Sequence, residues 1–108
     1  MGLDSFAMIG DKEMDGELFK HLPPVLCGGM FSDGMSSIRG KVYNEIVDSI
    51  TGFSLYEEKI NNAQVGMIAM ALADAGHKGS GLSKKEYETL TEWFRIIHNN
   101  GGWVHGWW

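Results

Sequence analysis

The stretch GGWVHGWW, residues 101–108, decides how the chain is read. It carries three of the four tryptophans within six residues, in the kind of position where chains usually fray. Indole buries a large area and its N–H seeks a partner, so such a tail pins itself against a core, covers a groove or meets another subunit. Gly101, Gly102 and Gly106 let it turn back, and Trp93 and Phe94 supply an aromatic surface nearby. The favoured reading is a docked structural tail that pairs with LDSFAMI, residues 3–9, as a small antiparallel sheet. The alternatives are a dimer contact, or a ligand platform built on Trp103, Trp107 and Trp108.

Upstream of the tail, three helices are expected. The last starts at Ser83, with Glu86 as its reciprocal capping partner and Leu82 positioned to staple onto Tyr87. Tyr87, Leu90, Phe94 and Ile97 form its inner face, and Gly101 closes it. The middle helix starts at Asn61, with Gln64 three residues on, and runs to Ala75 before Gly76. Its apolar residues cover the whole circumference, leaving only Gln64 and Asp74 polar, which implies burial on all sides. The expectation is a central helix enclosed by the rest of the chain; a subunit interface along one side is the alternative. The first helix is expected to begin at Ser36 or Ser37 and to run to Gly52, with Ile38, Val42, Ile46 and Ile50 in an i, i+4 stripe widened by Tyr43 and Val47.

The remaining segments read less regularly. Residues 16–22, GELFKHL, form a short helix stopped by Pro23, and residues 53–60, FSLYEEKI, a strand or an extended crossing segment. Residues 23–37 contain both prolines of the chain and three glycines, which suggests a long ordered loop of functional interest.

With 108 residues, 44% hydrophobic and 21% charged, the chain fits one globular domain spanning residues 1–108. Its net charge of −5 and scattered basic residues argue against a nucleic-acid partner. The single cysteine, Cys27, excludes an internal disulfide. The start lacks the basic and long apolar regions of a signal peptide, and Phe6 breaks the myristoylation pattern. The longest uncharged apolar stretch, residues 63–73, is about half the length that crosses a bilayer, so no membrane partner is expected and the cytoplasm is the default.

No motif is complete. GMSSIRGK, residues 34–41, has one residue too many for a phosphate-binding Walker loop, and Val42 stands where the hydroxyl should be. What survives is that Ser36, Ser37 and Arg39, near a helix start, could hold an anion. DKEMDGELFKHL, residues 11–22, places Asp11, Glu13 and Asp15 as in a calcium loop but ends on Leu22 instead of Glu, so a solvated acidic turn is the better reading. His21, His77, His98 and His105 show no metal-ligand spacing, and no metal site or cofactor is expected. Cys27 is a candidate nucleophile if His98 or His105 approaches it, against the blander reading of a small buried hydrophobe. Glu57 and Glu58 are adjacent and do not converge.

Three stretches carry a resemblance: the opening MGLD, the segment SSIRGKVYNEIVDSITGFSLYEE, and the close EWFRIIHNNGGWVHGWW. Together they resemble a family of small proteins from bacteria and their phages that share this opening, the RGK helix and the Trp-Trp ending. The resemblance implies a whole-chain single domain and brings no activity, cofactor or catalytic residue.

The expectation is a mainly α fold, or α+β with a minimal sheet: three main helices around a central apolar one, a short helix, and paired termini. The expected role is a non-enzymatic cytoplasmic binding or interaction module that forms a homo-oligomer, its small-molecule ligand, if any, unidentified. The alternatives are a small enzyme with a pocket between loop 27–37 and the tail, using Cys27, His98 or His105 with Arg39 as an anion contact, and a metal-binding protein.

Overall fold

The computed structural model describes residues 3–22, 30–32 and 36–108. It is an α+β fold in which three helices pack on one face of a small antiparallel sheet. The strands are β1 (Asp4–Ile9), β2 (Lys12–Glu13), β3 (Met30–Ser32), β4 (Ser37–Arg39) and β5 (Trp103–Trp107); the helices are α1 (Lys41–Thr51), α2 (Asn62–Ala75) and α3 (Lys84–Asn99).

β1 organises the sheet. One of its edges is filled by β5, with Asp4 opposite Trp107 and Met8 opposite Trp103, so the expected pairing of the two ends of the chain is present. The other edge is shared end to end by β4 and β2. The handover falls at Ala7, whose N–H donates to the Ser36 carbonyl and whose own carbonyl accepts from Met14, both at 2.8 Å. A hydrogen bond from Ser36 Oγ to the Glu13 carboxylate, 3.2 Å, joins the two short strands. β2 follows β1 through a two-residue turn at Gly10 and Asp11, with Gly10 at φ 59°.

Side chains alternate across the sheet as its pleat requires. Ser5, Ala7, Ile38 and Val104 are buried on the helix side, together with Gly106. β5 is flanked on its far edge by the crossing segment 53–60: Ile60 and Val104 exchange both backbone hydrogen bonds, and Gly106 donates to the Glu57 carbonyl. Apart from the bridge at Ile60, this segment is largely turns and bends, so it crosses beside β5 but is neither a strand nor extended. Asn44 of α1 anchors it, Oδ1 accepting from the Leu55 N–H at 2.7 Å.

α2 and α3 have the predicted starts. Asn61 and Gln64 form a reciprocal capping box, and Ser83 Oγ accepts from the Glu86 N–H. Tyr87 Oη donates to the Leu72 carbonyl at 2.6 Å and ties the two helices together inside the core. Trp93 is fully buried, edge-on to Phe94 and beside Phe19.

Four expectations need correction. The first helix does not start at Ser36 or Ser37: those residues lie at and within β4, and α1 is entered through Gly40, whose φ of 148° suits glycine and which brings no side-chain cap. Pairing of residues 37–39 with β1 outweighed the capping preference of the serines. The presumed loop 23–37 contains β3, antiparallel to β4, while its other residues before Ser36 lie outside those described. The short helix is a 3-10 turn at Gly16–Phe19 that Asp15 caps. Finally, α2 is not enclosed. α1, α3 and β5 cover part of its circumference, but Met67 and Met70 are 56% and 75% exposed, because among the described residues no further element covers that side.

Candidate functional site

The outward face of the sheet presents three rows of side chains, with the aromatic ones on β5 and β1. β5 brings Trp103, His105 and Trp107 to this face at alternate positions, and β1 brings Met8, Phe6 and Asp4 opposite them. On the shared third edge, Arg39 stands opposite Asp4 and Ser37 opposite Phe6. The His105 ring stacks beside Phe6 at 6.3 Å and lies 6.1 Å from both the Trp103 and Trp107 rings. These spacings fall within the range of favourable aromatic contacts.

The ends of the ladder are held differently. Trp103 Nε1 donates to the Gly10 carbonyl at 2.7 Å, and the Lys59 ammonium sits 4.9 Å above its ring. That indole is therefore fixed at both its polar and its π surface. Trp107 and Trp108 are 63% and 49% exposed; Trp108 makes an edge contact with Tyr56 at 5.8 Å. At this end Arg39 Nε donates to Asp4 Oδ1 at 2.6 Å. The hydrogen bond that Arg39 donates to Asp4, reinforced by the carboxylate's charge, raises the Arg39 guanidinium above its ordinary pKa, so this side chain stays cationic and paired.

His105 sits at the centre of the row. Its Nδ1 lies 2.7 Å from the Glu58 carbonyl, which can only accept, so Nδ1 carries the proton and the neutral ring keeps its lone pair on Nε2. A shallow depression of about 180 Å³ lies next to it, lined by Glu58, His105, Gly106, Trp107 and Trp108.

The other candidates are dispersed. His98, in the last turn of α3, donates from Nδ1 to the Asn62 carbonyl at 3.0 Å and packs over Gly66, away from His105. Ser36 and Ser37 are buried in the sheet, not at a helix start, and Arg39 is engaged by Asp4, so the arrangement that suggested an anion site is not formed. Cys27 lies outside the described residues, as does most of the loop side of the enzyme pocket. Among the described residues no three His, Cys, Asp or Glu side chains are grouped to hold a metal ion. Asp11, Glu13 and Asp15 serve instead as hairpin turn, Ser36 acceptor and cap.

A hollow of about 730 Å³ between the end of α2 and α3 shares no lining residue with the aromatic rows. Its rim is solvated charge of both signs, including Lys84, Glu88 and Arg95, and the hydroxyls of its buried Tyr87, Thr89 and Thr91 are already bonded to backbone carbonyls. Nothing there converges on a ligand.

Sequence reasoning named Trp103, His105, Trp107 and Trp108 but missed Phe6, Lys59 and Tyr56. The alternation in residues 3–9 contains the signal for Phe6: once that strand pairs with the tail, Asp4, Phe6 and Met8 must share one face. Compared with protein-family models, curated proteins and solved structures, the chain matches none.

Proposed function

We propose that this chain is a non-enzymatic cytoplasmic interaction module that docks a protein partner on the outward face of its sheet. The observation that carries this reading is the row Trp103–His105–Trp107 beside Phe6, with large indole area left open to solvent at Trp107 and Trp108. Tryptophan is the residue most enriched where binding energy concentrates, and a clustered exposed apolar patch on a small domain marks an interaction site.

The surroundings support a protein over other partners. The chain is acidic, and the basic groups at this face are few and engaged: Arg39 by Asp4, Lys59 over an indole. A nucleic-acid platform pairs stacking rings with free cations. Here the rim instead offers the ring edge of His105 and the acidic side chain of Glu58, a polar border beside an aromatic centre. Among the described residues no helix is long and apolar enough to cross a membrane.

The test uses a random-peptide display library selected on the immobilised full chain, with the selected peptides titrated against the chain and against a Trp107→Ser/Trp108→Ser double variant. Peptides rich in apolar side chains should emerge and lose at least about tenfold in affinity for the variant, the loss expected when a tryptophan anchor is removed. Peptides that bind both proteins equally would place the docking surface elsewhere and end this reading.

A further inference from the structure

The open side of α2 is a second surface, independent of the aromatic rows, and its occupant can be argued from its own pattern. Ala63, Met67, Met70 and Asp74, four of the exposed residues of this helix, form one stripe spaced four, three and four residues apart, with Ala73 and Ala75 exposed to either side of it. That is the repeat of a helix–helix seam, and the seam runs from the first turn of α2 to its last. Read in reverse, it has the same spacing. A two-fold axis between residues 68 and 69 would therefore set Met67 against the Met70 of a second copy and Ala63 against its Asp74, an isologous antiparallel contact.

Charge complementarity favours this occupant. Asp74 lies in the last turn of α2, where the helix dipole opposes a negative charge, and among the described residues it makes no ion pair or side-chain hydrogen bond. In its own chain it is misplaced. In the antiparallel contact it would reach the first turn of the other helix, which carries no acidic residue. There the capping box engages the N–H groups of Asn61 and Gln64, and Val65 bonds back to Asn61, so Asn62 and Ala63 retain outward-pointing donors. Beside the seam, a groove of about 330 Å³ between α2 and α3, bordered by Gly66, Met70 and Ala73 with Arg95 and His98, leaves room for a methionine side chain from the other copy. A single helix of 14 residues is about 21 Å long, less than the span of a permanent dimer interface, so the association is concentration-dependent.

We infer that the Ala63–Met67–Met70–Asp74 seam of α2 is the homodimer interface of this protein, formed by antiparallel packing against the same helix of a second copy.

Sedimentation velocity of the untagged full chain across a dilution series is the first test, and a monomer–dimer equilibrium is expected. Met70→Glu should abolish the dimer; the side chain is exposed, so the helical circular dichroism should be retained. Asp74→Lys should weaken dimerisation at least tenfold while leaving the monomer no less stable, because lysine suits the end of its own helix. Register is read by oxidising a mixture of chains carrying Cys27→Ser with either Met67→Cys or Met70→Cys; mixed 67–70 cross-links should dominate over 70–70 ones. A monomer at every concentration, or a dimer indifferent to Met70→Glu, overturns the inference. Equal cross-linking of 70 to 70 overturns the antiparallel register.

Discussion

The Gly106 N–H donates to the Glu57 carbonyl at 3.1 Å, and the same oxygen stands 2.5 Å from where a Cβ on Gly106 would be. The crossing segment lies on β5 so closely that only a hydrogen fits between two backbones. Gly106→Ala must push one of them away, and overpacking of this kind costs about 1–3 kcal/mol. In a domain of this size that lowers the unfolding midpoint by roughly 4–8 °C per kcal/mol. Gly66→Ala is the control: its Cβ would meet the His98 ring at 2.6 Å, but that ring ends a flexible, exposed side chain. Alanine there gains up to about 1 kcal/mol of helix propensity, which offsets the Nδ1 bond to Asn62 that the displaced ring gives up, so the midpoint should change far less than for Gly106→Ala. Calorimetry of both variants decides; equal losses would contradict the distinction between backbone and side-chain neighbours.

The tail has two separable roles. Ending the chain after Gly102 removes Val104, which is fully buried, and all the β1–β5 pairing, and should lower the melting point by more than about 10 °C. Trp107→Ser with Trp108→Ser removes only exposed indole and should shift it by a few degrees at most, since surface substitutions stay within about 0.5 kcal/mol each. A large shift from the double variant would assign those rings to the core rather than to docking.

Asn62 ties three elements together. Its Nδ2 donates to the Gly102 carbonyl at 2.8 Å and to the His98 carbonyl at 3.1 Å, linking the start of α2, the end of α3 and the approach to β5. Asn62→Ala leaves the Gly102 carbonyl short of a partner, at a cost of about 1–3 kcal/mol. Urea unfolding should show a lower midpoint with an unchanged slope.

Burial pushes the Tyr87 phenol above its ordinary pKa. An unfolded tyrosine releases its proton near about pH 10, whereas the folded one retains it. Above that pH the unfolded state binds fewer protons, so stability present in neutral solution is lost as pH rises through and beyond it. Tyr87→Phe should flatten this alkaline decline and cost about 0.5–1.5 kcal/mol at neutral pH through the lost bond to Leu72. Denaturant midpoints of the two proteins from about pH 8 to 11 would expose a wrong sign at once.

What was legible in the sequence follows from the range of the interactions involved. Asn61 with Gln64 and Ser83 with Glu86 are bonded across three residues, and both helices start where those pairs place them. The pairing of residues 3–9 with the tail was also readable, because two amphipathic segments at opposite ends each need the other to bury Ala7 and Val104. The start of α1 was not. Ser36 and Ser37 carry capping chemistry, but their backbone is claimed by β1, more than two dozen residues away, and no local signal reports that claim. The uniform apolarity of α2 misled for a related reason: periodicity tells which side of a helix is apolar, and not whether the chain has an element left to cover it. The aromatic site was half visible, its tryptophans by composition and Phe6 only through register.

Because Asp4 pairs with Trp107, one edge of β1 stays unfilled until β5, which follows all three helices in the sequence, has been made. α2 and α3, neighbours in sequence with self-sufficient caps, can meet as a hairpin long before then. The β1–β5 pairing instead requires closure of a loop that contains all three helices, the entropic cost that slows folds dominated by distant contacts. The order of assembly is thus set by topology: β2 and β4 can pair with one edge of β1 early and α2 can meet α3, while the edge that takes β5 stays open until the tail is available. During that interval the chain is most open to pairing with the wrong strand, and the tryptophan tail ends its exposure.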